Sequence, residues 1–197
     1  MRLIALATLA LTAACATETG PAAADRFDRF EPSVTSDFTG YDRVYIAPVT
    51  ASDDLTARID YRPIGPQDRI RPLSQRIIDQ QAAEFAEELT ARLSKVATIA
   101  DAPGPGVLTI QAELTDLNAN RPTIAEFRAS PGLSFESISV GDAAVQVVLS
   151  EDGRELATLQ DRAFRRNLDD PTVGVGIWGT AYQFYDRFSS KMAALLS

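Results

Sequence analysis

The 197-residue chain sets 27 Asp+Glu against 19 Lys+Arg, a formal net charge of −8, and has no histidine and one cysteine. So acidic a chain lacks the basic footprint that phosphate backbones require, so no nucleic-acid partner is expected. Without histidine there are no Ser-His-Asp triads or Cys-His dyads and nearly no catalytic zinc sites; no cofactor and no metal are expected.

The chain opens MRLIALATLALTAAC, with Arg2 ahead of an apolar run from Leu3 to Leu11 that ends in small residues at Cys15. The run is shorter than the roughly 20 apolar residues of a membrane-spanning helix and reads as a secretory signal peptide. Leu11-Thr12-Ala13-Ala14-Cys15 resembles the lipobox of bacterial lipoproteins, although Leu is commoner where Thr12 stands. That resemblance implies cleavage before Cys15, acylation of its sulfur (palmitate) and a membrane as partner through the acyl chains. Each buried methylene contributes about 0.8 kcal/mol, so two or more chains anchor stably. Ala16, where Asp would signal retention in the inner membrane, points to the periplasmic face of the cell outer membrane. The organisation expected is a signal peptide over 1–14, a lipidated Cys15 and flexible tether over 15–37, and a periplasmic domain over 38–197.

The tether, as a coil, has an end-to-end distance of about 25 Å; Phe27 and Phe30 within it either dock on the domain or punctuate a loop. Tyr41 to Val49 forms the first strand, ended or pushed to an edge by Pro48. Residues 50–73 form a long Pro-interrupted connection carrying Arg58, Arg62, Arg69 and Arg71. Connections of this length inside a domain are uncommon and often functional. From Ser74, the expected N-cap, to about Ser94 the spacing of Ile78, Ala82, Phe85, Leu89 and Leu93 predicts an amphipathic helix. Val107 to Leu114 reads as a strand. In 117–140, Asn118, Asn120 and Pro122 mark a loop, Pro131-Gly132 a turn, and 133–138 alternates like an edge strand.

Ala143 to Ser150 and Glu155 to Arg162 alternate around Asp152-Gly153, a hairpin that sets Glu151 opposite Arg154 and Leu149 opposite Leu156. A Gly-rich run leads to the last helix, Ile177 to Leu196, with Trp178, Ala181, Tyr182, Tyr185, Phe188, Met192 and Leu195 as its apolar stripe. The whole predicts one two-layer α/β (α+β) domain, a mixed and mostly antiparallel sheet with both long helices packed on one face.

Gly174 to Gly179 matches GxGxxG, but the preceding strand and the following acidic strand of a dinucleotide site are missing. Asp116-x-Asn118-x-Asn120 resembles the start of a calcium loop, but Arg121 and Phe127 stand where Gly and Glu are needed. Adjacent carboxylates at Asp53-Asp54, Glu87-Glu88, Glu151-Asp152 and Asp169-Asp170 do not converge, as an acid-based hydrolase would require.

Tyr41 to Val49, Leu108 to Asn120, Gly141 to Val145, Asp152 to Ala157, Trp178-Gly179 and Tyr185 to Phe188 together resemble a family of uncharacterised bacterial envelope lipoproteins, domain of unknown function 3313. The family implies no catalytic residues. The leading expectation is a non-catalytic binding or assembly lipoprotein in envelope maintenance, with an envelope protein as partner and with Arg58, Arg62, Arg69 and Arg71 meeting an acidic protein surface or the phosphates of envelope glycolipid. An accessory subunit of an envelope transporter is the alternative, and a carboxylate-based hydrolase a distant third.

Overall fold

The computed structural model describes residues 26–33, 37–62, 70–129, 141–164 and 176–197. Its strands are β1 (Arg29–Pro32), β2 (Arg43–Ile46), β3 (Thr50–Ala51), β4 (Thr98–Ile99), β5 (Leu108–Asn118), β6 (Asp142–Glu151) and β7 (Arg154–Phe164). Its α-helices are α1 (Asp53–Thr56), α2 (Gln75–Leu93), α3 (Ile124–Ala129) and α4 (Gly179–Leu195). The strands form one seven-stranded mixed sheet in the order β1-β7-β6-β5-β2-β4, with β3 continuing beside β5. β2 runs parallel to β4 and β5, and the other long pairings are antiparallel. Parallel neighbours need a crossover, which α2 supplies between β2 and β4. The fold is α+β, as expected.

The β6–β7 hairpin turns at Asp152 and Gly153, both with positive φ (48° and 77°), the backbone of a tight two-residue turn. Glu151 faces Arg154 as expected, but Leu149 faces Ala157 and not Leu156. A register shift next to the turn absorbs one residue, which the alternation of side chains does not announce. A second irregularity lies in β5. Leu108, Ile110, Ala112 and Leu114 point into the core, the pairing then shifts between Leu114 and Asp116, and Leu117 takes the next core position. The shift re-aims Asp116 away from the face its number would give it.

α2 and α4 pack on each other and on the sheet, α2 over β2 to β4 and α4 over β6 and β7. Phe85 of α2 meets Tyr185 at 4.9 Å and Phe188 at 5.6 Å between ring centroids. On α2 the buried row is Ile78, Gln81, Phe85, Leu89 and Leu93, so Gln81 takes the place expected for Ala82. On α4, Tyr182, expected on the apolar stripe, is exposed, and Phe184, which the stripe did not include, is buried. Ser74 is the N-cap of α2 by position, but its side chain makes no capping hydrogen bond.

The folded domain begins ahead of residue 38. Phe27 is buried against Phe188 at 5.6 Å, and β1 pairs with β7 from Arg29↔Gln160 to Pro32↔Ala157. Lys191 lies over the Phe27 ring at 5.6 Å and pairs with the buried Asp161. Burying one large aromatic and adding an edge strand outweigh the polar, Ala-rich character of the surrounding sequence. Cys15, Arg69, the edge strand expected at 133–138 and Gly174 lie outside the described residues.

Candidate functional site

The described parts of the 50–73 connection, residues 50–62 and 70–73, are fastened to the end of β5 by two of its arginines. α1 is capped by Ser52, whose Oγ accepts from the Leu55 amide at 3.2 Å. The turn after α1 sends Arg58 inward. Its Nε donates to the Arg71 carbonyl (2.8 Å), and its two terminal nitrogens reach Asp116 Oδ1 (3.1 Å) and Asn118 Oδ1 (3.0 Å). Only 13% of the Arg58 side chain is exposed. Burial pushes its pKa down while Asp116 pushes it up, and a guanidinium stays charged through such opposing shifts. Arg71 donates to the Ala119 carbonyl at 3.0 Å and pairs with Glu126 at 3.6 Å. Arg58 and Arg71, expected as partner-binding surface, are therefore internal fastenings. Loop composition cannot show this, because apart from the Arg71 carbonyl their acceptors lie more than forty residues away in sequence.

The same geometry accounts for the Asp116-x-Asn118-x-Asn120 run. Asp116 and Asn118 grip the Arg58 guanidinium, so a cation is already there, on a side chain. Asn120 ties the entry of α4: its amide N–H donates to the Ile177 carbonyl at 2.7 Å and its side chain bonds Thr180 twice. Among the described residues no group of acidic or thiol side chains could hold a metal ion.

Two carboxylates from different strands do lie near each other. Burial, and secondarily Asp116, push the Asp142 carboxyl up to about 6. Its Oδ1 is buried with no hydrogen-bond partner among the described residues. Yet Asp116 is engaged by Arg58 and by the Leu117 amide, and neither acid lines the clefts described next. A hydrolytic pair needs access to its substrate.

Beside the fastened connection opens a cleft of about 940 Å³, within the size range of ligand pockets. Arg62 from the connection, Arg76 from the first turn of α2 and Arg128 from α3 line it, with Asp60 as the one acid among the described lining residues. All three arginines are exposed, and none has an ion-pair or hydrogen-bond partner among the described residues. The start of α2 adds to this positive field. Ser74 leaves the first-turn amides without a side-chain acceptor, and the turn contains no acid. α3 is set by a capping box: Thr123 Oγ1 accepts from the Glu126 amide (3.3 Å), and Glu126 accepts from the Thr123 amide (2.7 Å). That fixes Arg128 and Ile124 on the cleft wall. Of the three sequence-read arginines that the structure describes, Arg58, Arg62 and Arg71, only Arg62 lines this cleft. Sequence reasoning missed Arg76 and Arg128; the Thr123-Ile124-Ala125-Glu126 capping signature could have placed the second on a helix. Two shallower hollows, about 260 and 520 Å³, lie on the open face of the sheet around Gln146.

Solved structures with a similar course of chain include a PelC dodecamer from Paraburkholderia phytofirmans, at 11% identity and TM-score 0.39 over 83% of this chain and 94% of that one. A DUF4136 family protein from Bacteroides thetaiotaomicron is similar at 12% identity and TM-score 0.36, over 85% and 95% of the two chains. No curated protein matches the sequence significantly. The model of the family described as "Protein of unknown function (DUF3313)" matches residues 17–192, and the chain belongs to that family.

Proposed function

We propose that the protein is a non-catalytic binding or assembly factor of the cell envelope, held at the periplasmic face of the outer membrane by acyl chains on Cys15. In this reading the arginine cleft takes an anionic group presented by its partner. The observation that carries the reading is the meeting of Arg62, Arg76 and Arg128, none of them ion-paired among the described residues and outnumbering Asp60 beside them, in one cleft of a chain with net charge −8. Like charges gathered on an otherwise acidic protein repel one another and gain by binding an anion. Arginine suits the task because its planar donors engage carboxylate or phosphate bidentately. The lipobox resemblance at Leu11 to Cys15 supports the anchoring.

The test has two arms. Inorganic phosphate titrated into the full chain should bind, weaken as salt rises, and lose most of its affinity in the variant Arg62→Ser, Arg76→Ser, Arg128→Ser. In cells, the same triple variant should lose partner crosslinks while thermal stability moves little. Unchanged anion binding in the triple variant would move the site elsewhere. Palmitate labelling that persists in Cys15→Ser would sink the anchor.

A further inference from the structure

Resting on that reading of the cleft, we infer that its ligand is an anionic amphiphile: the headgroup sits among the arginines and the apolar portion lies on Ile124. Ile124 is 62% exposed, the most exposed of the large apolar side chains among the described residues, and it stands on the cleft wall. The capping box fixes it there and leaves it out of the core. Ile70 and Ile177, each 45% exposed, sit on segments bound to the same piece of backbone. Arg71, next to Ile70, donates to the Ala119 carbonyl, and the Ile177 carbonyl accepts from the Asn120 amide. Of these three isoleucines Ile124 is the one that lines the cleft, beside Arg128 on the same short helix.

A small anion such as phosphate has no use for an apolar wall, and an uncharged lipid has none for the arginines. A molecule with both parts satisfies the cleft completely, as cationic and apolar residues do together at anionic lipid interfaces. Binding would also remove from water an apolar surface that folding leaves uncovered.

The experiment is isothermal titration of the full chain with monomeric short-chain lipids and a matched soluble headgroup. Dihexanoylphosphatidylglycerol should bind at least about tenfold more tightly than either glycerol phosphate or dihexanoylphosphatidylcholine. Ile124→Ser should weaken the phosphatidylglycerol probe and leave glycerol phosphate unchanged, whereas Arg62→Ser with Arg128→Ser should weaken both. Equal binding of glycerol phosphate and the lipid, with no effect of Ile124→Ser, would overturn the amphiphile while leaving the anion cleft standing. Equal binding of the two lipids would overturn it by making the charge irrelevant. Tighter binding of a hexaglutamate peptide than of either lipid would overturn it in favour of a protein partner. No binding of any anion would remove both this inference and the reading it rests on.

Discussion

Asn120 and Thr180 bond each other twice: Asn120 Nδ2 donates to Thr180 Oγ1 at 2.8 Å, and the Thr180 amide donates to Asn120 Oδ1 at 2.9 Å. Both residues are buried, at 2% and 1% exposure, so neither pair of groups has water to fall back on. The pair fixes the first turn of α4 to the end of β5. Gly141 completes it, since a Cβ added there would stand 2.5 Å from Asn120 Oδ1.

Asn120→Ala should therefore cost about 2–3 kcal/mol, because it strands a buried hydroxyl and a buried amide. Gly141→Ala should also destabilise, by about 1–3 kcal/mol from overpacking. Combined, the two should cost less than their sum, because Ala at 120 removes the atoms that the new Cβ strikes. Urea denaturation of the single and double variants gives the coupling directly, and strict additivity would show that the two sites do not share this contact.

Asp142 makes stability depend on pH in a stated direction. Burial first and the Asp116 charge second raise its carboxyl from 3.8 to about 6. Between those values the folded chain holds more protons than the unfolded one, so this group's contribution to stability falls as pH rises through the window. Asp142→Asn fixes the neutral form and should stabilise the protein at pH 7 by about 1–2 kcal/mol, allowing for partial solvent screening of the site. Denaturation midpoints of the two proteins should diverge from about pH 4 upward and run parallel above about pH 7. A constant offset across that range would place the effect elsewhere.

Arg58 and Arg62 sit in one connection and should behave oppositely. Arg58→Ala leaves Asp116 and Asn118 without their shared cation, and should cost about 2–4 kcal/mol. Arg62→Ser, on an exposed side chain with no partner among the described residues, should stay within about 0.5 kcal/mol. Equal thermal shifts for the two would contradict the division into fastening and cleft arginines.

Phe188 is fully buried between Phe27 and Phe85. Phe188→Ala should cost about 3–5 kcal/mol, and Phe27→Ala should also destabilise substantially. A negligible effect of Phe27→Ala on the denaturation midpoint would return residues 27–32 to the tether.

Elements whose signals are local were legible in the sequence. Asp152-Gly153 needs only its own positive φ values to make a hairpin, and the α2 periodicity lies within one helix. The misreadings share a different cause. Leu149 faces Ala157 because of a register shift that costs nothing visible in composition. Arg58 turns inward because acceptors arrive from β5, and Phe27 is buried because α4 arrives from the far end of the chain. The cleft combines both kinds. Arg62 was accessible as a local excess of charge, but nothing local joins it to Arg76 on one helix and Arg128 on another.

The pairing of Arg29 with Gln160 also sets an order of assembly. β6 and β7 are joined by a tight turn and can zip at once, but β1 has no sheet to join until β7 exists. Closing so long a loop is the slow kind of contact. Until it closes, β7 presents its unpaired backbone as an open edge, the feature most prone to stray pairing between chains. β1 is thus among the last strands to be seated, and its arrival covers the middle of β7 and leaves a much shorter strand at that edge.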